Sequence, residues 1–389
     1  VLNDHKLKSI EAFSTRDTFP RYVGRNAFGN PQRYGAGIGG LRLTTDRGAQ
    51  GWGTGGRLED LKPLLGLPLS DLFDPNIGIL DDRARGLDIG LHDLAGRILG
   101  KPVHGLLGSN GPTSIPVYSG AIYFDDMEPP EGDPDGVPRG VKAIVDSCRQ
   151  DYETGYRAFK LKIGRGHRWM EPEEGLAADI DAVRAVRESF PDYRILVDAN
   201  DAYEVDTFIR FLDGVADCDL HWIEEPFEES ETDLRKLKEH MQKIGCSAFI
   251  AEGEGRNAHA DPPTPYGGYV DDHINRLYNL ARKDLVDVFI IDLGIVGFTR
   301  WRHIMADLAA ENILASPHTW AWCVRPFYTA HLGRGVGNIV TIEGIPGVNS
   351  VFDFSEYTIH EGNIVVPDAP GFGFRIQESE IEVSERISV

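Results

Sequence analysis

From about residue 114 the chain alternates between short apolar runs and longer stretches in which apolar positions recur every three to four residues. The runs are Ser114–Phe124, Ala158–Ile163, Arg194–Asn200, Leu220–Pro226, Ala248–Glu254, Asp287–Asp292, Asn312–His318 and Ile339–Gly344. Between them, segments such as EEGLAADIDAVRAVRESF, ETDLRKLKEHMQKI and WRHIMADLAAEN read as amphipathic helices. Strand followed by helix, repeated along this region, predicts an α/β fold whose parallel sheet closes into a TIM-type barrel. An open doubly wound sheet is the competing architecture, but it calls for a Gly-rich βα turn, and none is obvious.

The first 110 residues follow another pattern. LKSIEAFSTRDTF and IGGLRLTT…GWGTGG read as antiparallel strands, with Asp46, Arg47 and Gly48 in the connecting turn. A helix carrying Leu87, Leu91, Leu94 and Ile98 on one face follows, and Gly100 and Pro102 stop it. From about residue 350 the chain returns to strand and turn. The simplest arrangement is an α+β domain over 1–112, completed by 350–389, packed on a barrel over 113–349.

In such a barrel the chemistry sits at the C-terminal strand ends. Those positions hold Lys160 and Lys162, Asp198 and Asn200, Glu224 and Glu225, Glu252 and Glu254, Asp292, His318 and Glu343. One exposed carboxylate at a strand end is ordinary; seven successive strands ending in titratable groups converge on one mouth. Asp198, Glu224 and Glu254 come from three consecutive strands, and carboxylates that close need a cation. An all-oxygen donor set suits Mg2+ or Mn2+ rather than zinc. Glu252 and Glu254 are two apart on one strand, so either can be the third ligand.

Lys160 and Lys162 also share a strand face, with Phe159, Leu161 and Ile163 turned to the helices. Two neighbouring ammonium groups are expected to lower each other's pKa, which suits a general base. Asp292 and His318 end neighbouring strands, where the carboxylate would fix the imidazole tautomer. Glu343 could donate a hydrogen bond to substrate if kept protonated.

The series KxK, DAN, IEEP, IAxGE, Asp, SPH and IEG, in this order, resembles the enolase superfamily, in particular its mandelate racemase subgroup. LDIGLHDLAGRILGKPVHGLLG is similar to that family's capping-domain helix, and PDAPGFGF to its C-terminal signature. The resemblance spans nearly the whole chain. It implies a capping domain on a (β/α)7β barrel, with Mg2+ on Asp198, Glu224 and Glu254 holding the substrate carboxylate. Lys162 would be the base on one face of the α-carbon, with Lys160 beside the carboxylate. His318, oriented by Asp292, would serve the other face, and Glu343 would steady the enediolate. A Lys or His base working with Mg2+ is the general pattern of that superfamily.

The resemblance implies dehydration of an aldonate or aldarate, with racemisation or epimerisation of a 2-hydroxy acid as one alternative and a non-catalytic binding barrel as another. The capping loop from Thr18 to Gly35 would cover the distal end of the substrate, and Arg21, Arg25 and Arg33 could grip hydroxyls or a second carboxylate. Loops 164–171 and 256–268 are longer than the family's usual ones.

A formal charge of −21 argues against a nucleic-acid partner, because nothing here is expected to neutralise a phosphate backbone. An acidic protein can take an acidic small molecule only through a cation or a local basic cluster, which the mouth supplies. No apolar run reaches the roughly 20 residues of a membrane span, and VLNDHKLKSI does not read as a secretory signal. Cys148, Cys218, Cys246 and Cys323 form no framework and fit free thiols in the cytoplasm. The resembling family also implies a homo-oligomer.

Overall fold

The computed structural model describes residues 1–129, 136–254, 267–320 and 322–389. Strand Leu7–Thr18 pairs antiparallel with Gly37–Thr45, which pairs with Gln50–Gly53 across the expected turn. Helix Asp88–Leu99 packs on these strands and ends at Gly100, whose φ of +64° lets its N–H reach back to the carbonyls of Gly96 and Arg97. The other edge of Leu7–Thr18 is taken by Glu382–Ser388, with Ser9 opposite Ser388. The hairpin Thr358–His360 and Asn363–Val365 pairs instead with the start of strand Ser114–Ile122, so that part of the C-terminal region extends the central sheet.

The central sheet takes its parallel strands in chain order: Ser114–Ile122, Ala158–Lys162, Arg194–Asp198, Leu220–Glu224, Phe249–Glu252, Val288–Phe289 and Leu314–Ala315. The eighth, Ile342–Gly344, pairs parallel with the first. Between the seventh and the eighth the link is one parallel bridge, Ala315 to Ile339, with Val340 N–H donating to the Ala315 carbonyl at 3.0 Å. Long helices follow the first seven strands among the described residues: Val141–Glu153, Pro172–Ser189, Val205–Gly214, Glu231–Ile244, Gly267–Ala281, Phe298–Ala310 and Arg325–Val336.

Alternation along the strands divides the core. Phe159, Leu161, Ile195, Val197, Ile223, Ile250 and Phe289 pack with helix residues such as Val183, Val186 and Leu237. The intervening positions Tyr118, Leu196, Trp222, Ala251 and Val288 pack with one another. Tyr118 and Trp222 lie on strands three ladder steps apart, roughly 14 Å along a flat sheet. Their ring centroids are only 6.1 Å apart, so the sheet curls and its second face is an interior. No helix among the described residues is long and apolar enough to cross a membrane, and all four cysteines are free.

Candidate active site

Strand period alone sends Lys160, Lys162, Asp198 and Glu224 to the interior face, and all four are buried. Lys160 Nζ donates to Glu224 Oε1 at 2.5 Å and lies 3.0 Å from Glu343 Oε1 and 3.2 Å from Asp198 Oδ2. Lys162 Nζ donates to Asp198 Oδ2, and to Asn200 Oδ1 at 3.1 Å. Trp222, from the same strand as Glu224, donates its indole N–H to Glu224 Oε2 at 2.8 Å.

The lysines therefore meet acids as well as each other, and this reverses the expected pKa direction. Burial works to lower the pKa of each, but it is outweighed by Glu224 and Glu343 at Lys160 and by Asp198 at Lys162, and both are raised. Asp198 is lowered: burial would raise it, and Lys162 and Lys160 overcome that. Glu224 moves up to about 8, through burial and then the charge of Asp198. Glu343 also departs from the expected neutral form. Burial would raise it, but Lys160 and then His318 hold it down at about 2, and Thr319 N–H donates to its Oε2 at 2.9 Å.

On the far side of the mouth His318 Nδ1 is paired with Asp292 Oδ2 at 2.9 Å. Asp292 is held in turn by the Gly294 N–H at 2.7 Å and by Arg325 at 3.2 Å, the latter a partner the sequence reading missed. His318 Nε2 faces Glu254 Oε1 at 3.3 Å and Glu343 Oε2 at 3.5 Å. Burial would lower the His318 pKa, but Glu254, Glu343 and Asp292 raise it to about 9.

Geometry places Glu252 and Glu254 in different sets of acids. Oxygens of Asp198, Glu224 and Glu254 lie within 4.8 Å of one another, whereas Glu252 joins Asp201 and Glu229 in a second such set. Alternation would put both glutamates on one side, but the strand ends at Glu252 and Gly253 has a φ of +106°, a conformation that turns Glu254 away. A Cβ at 253 would also stand 2.5 Å from Leu277 Cδ1. Between the two sets lies Glu225, buried, with a φ of +39° and its Oε1 accepting from Glu254 N–H at 3.0 Å. Burial, then Glu254, Asp201 and Glu252, pushes its carboxyl well above the usual range. In the second set Glu229 is paired with Arg276.

The arginines of the capping loop do not share one role. Arg21 is buried under the loop, donating to Asp151 Oδ2 at 2.8 Å, Asp125 Oδ2 at 3.3 Å and the Ala121 carbonyl at 2.9 Å. It anchors the loop to the first strand and the helix after it, and is not available to a substrate. Arg25 pairs with Glu128 and lies 4.1 Å over the Trp169 ring, and Arg33 forms a backbone bridge with Val23. Asn26 and Trp169, absent from the sequence-based candidates, turn out to face the mouth and its rim; the pattern Asn26-x-Phe28-Gly29 signals a side-chain-capped turn and could have flagged the first. Residues 164–171 are described; the longer loop expected at 256–268 lies outside the described residues up to position 266.

Three clustered carboxylates that could hold a hard cation, a lysine at one end and an Asp-supported histidine at the other, make a site suited to moving a proton next to a carboxylate. Residues 143–256 and 269–380 match the family described as enolase C-terminal domain-like. A 3,6-anhydro-α-L-galactonate cycloisomerase of Streptomyces coelicolor is 29% identical over 289 residues, 74% of this chain and 67% of that protein. The crystal structure of a galacturonate dehydratase from Geobacillus sp., complexed with D-galacturonate and 5-keto-4-deoxy-D-galacturonate, aligns with a TM-score of 0.85 at 30% identity, over 97% of this chain and 96% of that one. A mandelate racemase/muconate lactonizing protein from Geobacillus sp. Y412MC10, complexed with magnesium and tartrate, gives 0.84 at 29% identity, over 97% and 94%. These likenesses imply a TIM-barrel-type α/β fold with a capping domain. With more than half its length matched, the chain belongs to the enolase C-terminal domain-like family, within the enolase superfamily.

Proposed function

We propose that this protein is a Mg2+-dependent acid-sugar dehydratase, which removes the proton α to a carboxylate and expels the β-hydroxyl to give a 2-keto-3-deoxy acid. The observation that carries the reading is the carboxylate set Asp198, Glu224 and Glu254, with Lys162 on its Asp198 end and the Asp292–His318 pair on its Glu254 end. The donor set fits the ion: three carboxylates, no thiolate, and oxygens close enough to share one small hard cation. Bound there, Mg2+ supplies the positive charge that lets an acidic substrate enter and offsets charge built up on its carboxylate. The magnesium-bound relative and the galacturonate dehydratase support both parts of the reading.

In this mechanism Lys162 takes the α-proton in its neutral form, which a cation held by Asp198, Glu224 and Glu254 would favour by offsetting the acids that raise its pKa in the metal-free site. Lys160, held between Glu224 and Glu343, stands beside the carboxylate oxygens and favours the enediolate left behind. His318 gives a proton to the departing β-hydroxyl, which leaves as water, and the enol tautomerises to the ketone. Asp292 keeps the imidazole aimed with Nε2 inward. The eight parallel strands would then close as a (β/α)7β barrel over 113–349, capped by 1–112 and 350–389. Racemisation is the second reading, because a lysine and a histidine on different sides of the set can deliver a proton to either face.

A proton NMR screen in D2O with Mg2+ against aldonates, aldarates and simple 2-hydroxy acids tests this. Loss of the α-proton with a new, partly deuterated C3 methylene and a 2-keto product is expected. Deuterium uptake with no keto product would replace dehydration by racemisation or epimerisation. Turnover undiminished in excess EDTA would overturn the metal assignment.

A further inference from the structure

One side chain of the capping loop, that of Asn26, hydrogen-bonds to a neighbour of Lys162. Asn26 Oδ1 accepts the backbone N–H groups of Phe28 at 3.1 Å and Gly29 at 2.6 Å. With its oxygen engaged in that turn, its NH2 end points the other way and donates to Asn200 Oδ1 at 3.2 Å. The same Asn200 oxygen accepts from Lys162 Nζ at 3.1 Å, while Asn200 Nδ2 reaches Glu254 Oε2 at 3.4 Å. Asn200 itself is buried and held at a φ of +48°, so its side chain leaves the backbone in a fixed direction.

The two ends of an asparagine amide are nearly equal in size, and only hydrogen-bond partners decide which way it faces. At Asn200 two donors meet the oxygen end and a carboxylate meets the nitrogen end. Turned over, the amide would set its NH2 against an ammonium and a second NH2, and its oxygen against Glu254. Lys162 alone gives a weak preference, since its ammonium is shared with Asp198 and can turn toward it. Asn26 has no such freedom, because its own turn fixes it.

We propose that Asn26 is a positioning residue: it locks the Asn200 amide with its oxygen toward Lys162, so that seating of the capping loop sets the aim of the base. The seat is the segment 164–171, where the Trp169 indole N–H donates to the Asn26 carbonyl at 2.7 Å and Arg168 Nη1 to the Phe28 carbonyl at 2.7 Å. Segment 164–171 thus becomes the part of the chain that holds the cap in register with the chemistry. The proposal rests on the reading of Lys162 as the base, but the Asn26–Asn200 coupling can be measured without it.

Asn26→Asp is the discriminating variant. A carboxylate still accepts from Phe28 and Gly29 and keeps the turn, but it presents oxygen to oxygen at Asn200. The first readout is nitrogen-15 NMR of the asparagine-labelled, metal-free protein, with the Asn200 side-chain resonance assigned by its loss in Asn200→Asp. The expected result is a clear shift of the Asn200 amide in Asn26→Asp. An unmoved resonance overturns the proposal. The second readout is α-proton exchange with Mg2+ and the acid found by the NMR screen, where kcat is expected to fall about 10- to 100-fold with KM nearly unchanged. A loss confined to KM overturns the positioning role. If wild-type protein exchanges no α-proton, the functional reading fails, while the resonance still decides the coupling. Should Asn26→Asp not fold, Trp169→Phe removes only the N–H that seats Asn26; it is expected to shift the Asn200 resonance less and in the same direction, and no shift overturns the proposal.

Discussion

Two sets of three carboxylates sit side by side at this mouth, drawn from the same three strands and the loops that follow them, and they have different neighbours. Asp198, Glu224 and Glu254 are accompanied by Lys160, Lys162 and His318; in Asp201, Glu229 and Glu252, Glu229 is paired with Arg276. Lysine and histidine can take up and release protons, whereas arginine stays charged and serves as a fixed counter-ion. A cluster of acids is thus read by the company it keeps. Glu225 stands between them, where burial and acids on both sides raise its pKa and favour its neutral form.

The sharpest way to break this contrast is to remove one acid from each set. Glu224→Gln is expected to weaken Mg2+ binding by at least about 100-fold in calorimetry, beyond the 10- to 100-fold typical of outer partners. Glu229→Gln is expected to change it less than about threefold. Equal losses would make the two sets one site. Asp292→Asn leaves the carboxylates alone and releases the imidazole. Turnover should drop about 10²- to 10⁴-fold while calorimetric Mg2+ affinity holds, and an affinity loss would mean His318 supports the cation set rather than the chemistry.

Gly253→Ala probes the turn that sends Glu254 to one set and Glu252 to the other. The positive φ and the Leu277 contact predict a loss of about 1–3 kcal/mol in urea unfolding. No loss would mean that residue 253 can adopt another backbone.

The smallest effect concerns Glu225. It binds its proton more tightly folded than unfolded, so its contribution to stability is full below its ordinary pKa of 4.5 and is lost as pH rises toward the raised folded value. That loss is at most about 1.4 kcal/mol per pH unit. Glu225→Gln mimics the neutral form at every pH. In EDTA its advantage over wild type should therefore grow between about pH 5 and pH 7. A constant difference would mean that Glu225 is ionised in the fold.

The strand ends were legible because period-two alternation needs only neighbours: Phe159, Leu161 and Ile163 claim the helix side and leave Lys160 and Lys162 the interior. Legibility stopped where a residue's fate depends on distant partners. Arg21 lies in a loop rich in arginine and aromatics, and nothing local shows that Asp125 and Asp151, more than a hundred positions on, claim its guanidinium. The lysine pKa direction failed for the same reason: KxK displays two ammonium groups, while the three acids around them arrive from other strands. Glu252 and Glu254 were inseparable because alternation assumes a strand that Gly253 has already left.

The pairing of Ser9 with Ser388 also orders events during synthesis. The arm that leads into the capping loop is made before the parallel strands, yet its outer edge waits for a partner made after all eight of them. A nascent chain can therefore gather Asp198, Glu224 and Glu254 well before residues 382–388 exist to seal the arm that carries Asn26. Translation thus makes the three carboxylates before the strand that fastens the capping arm.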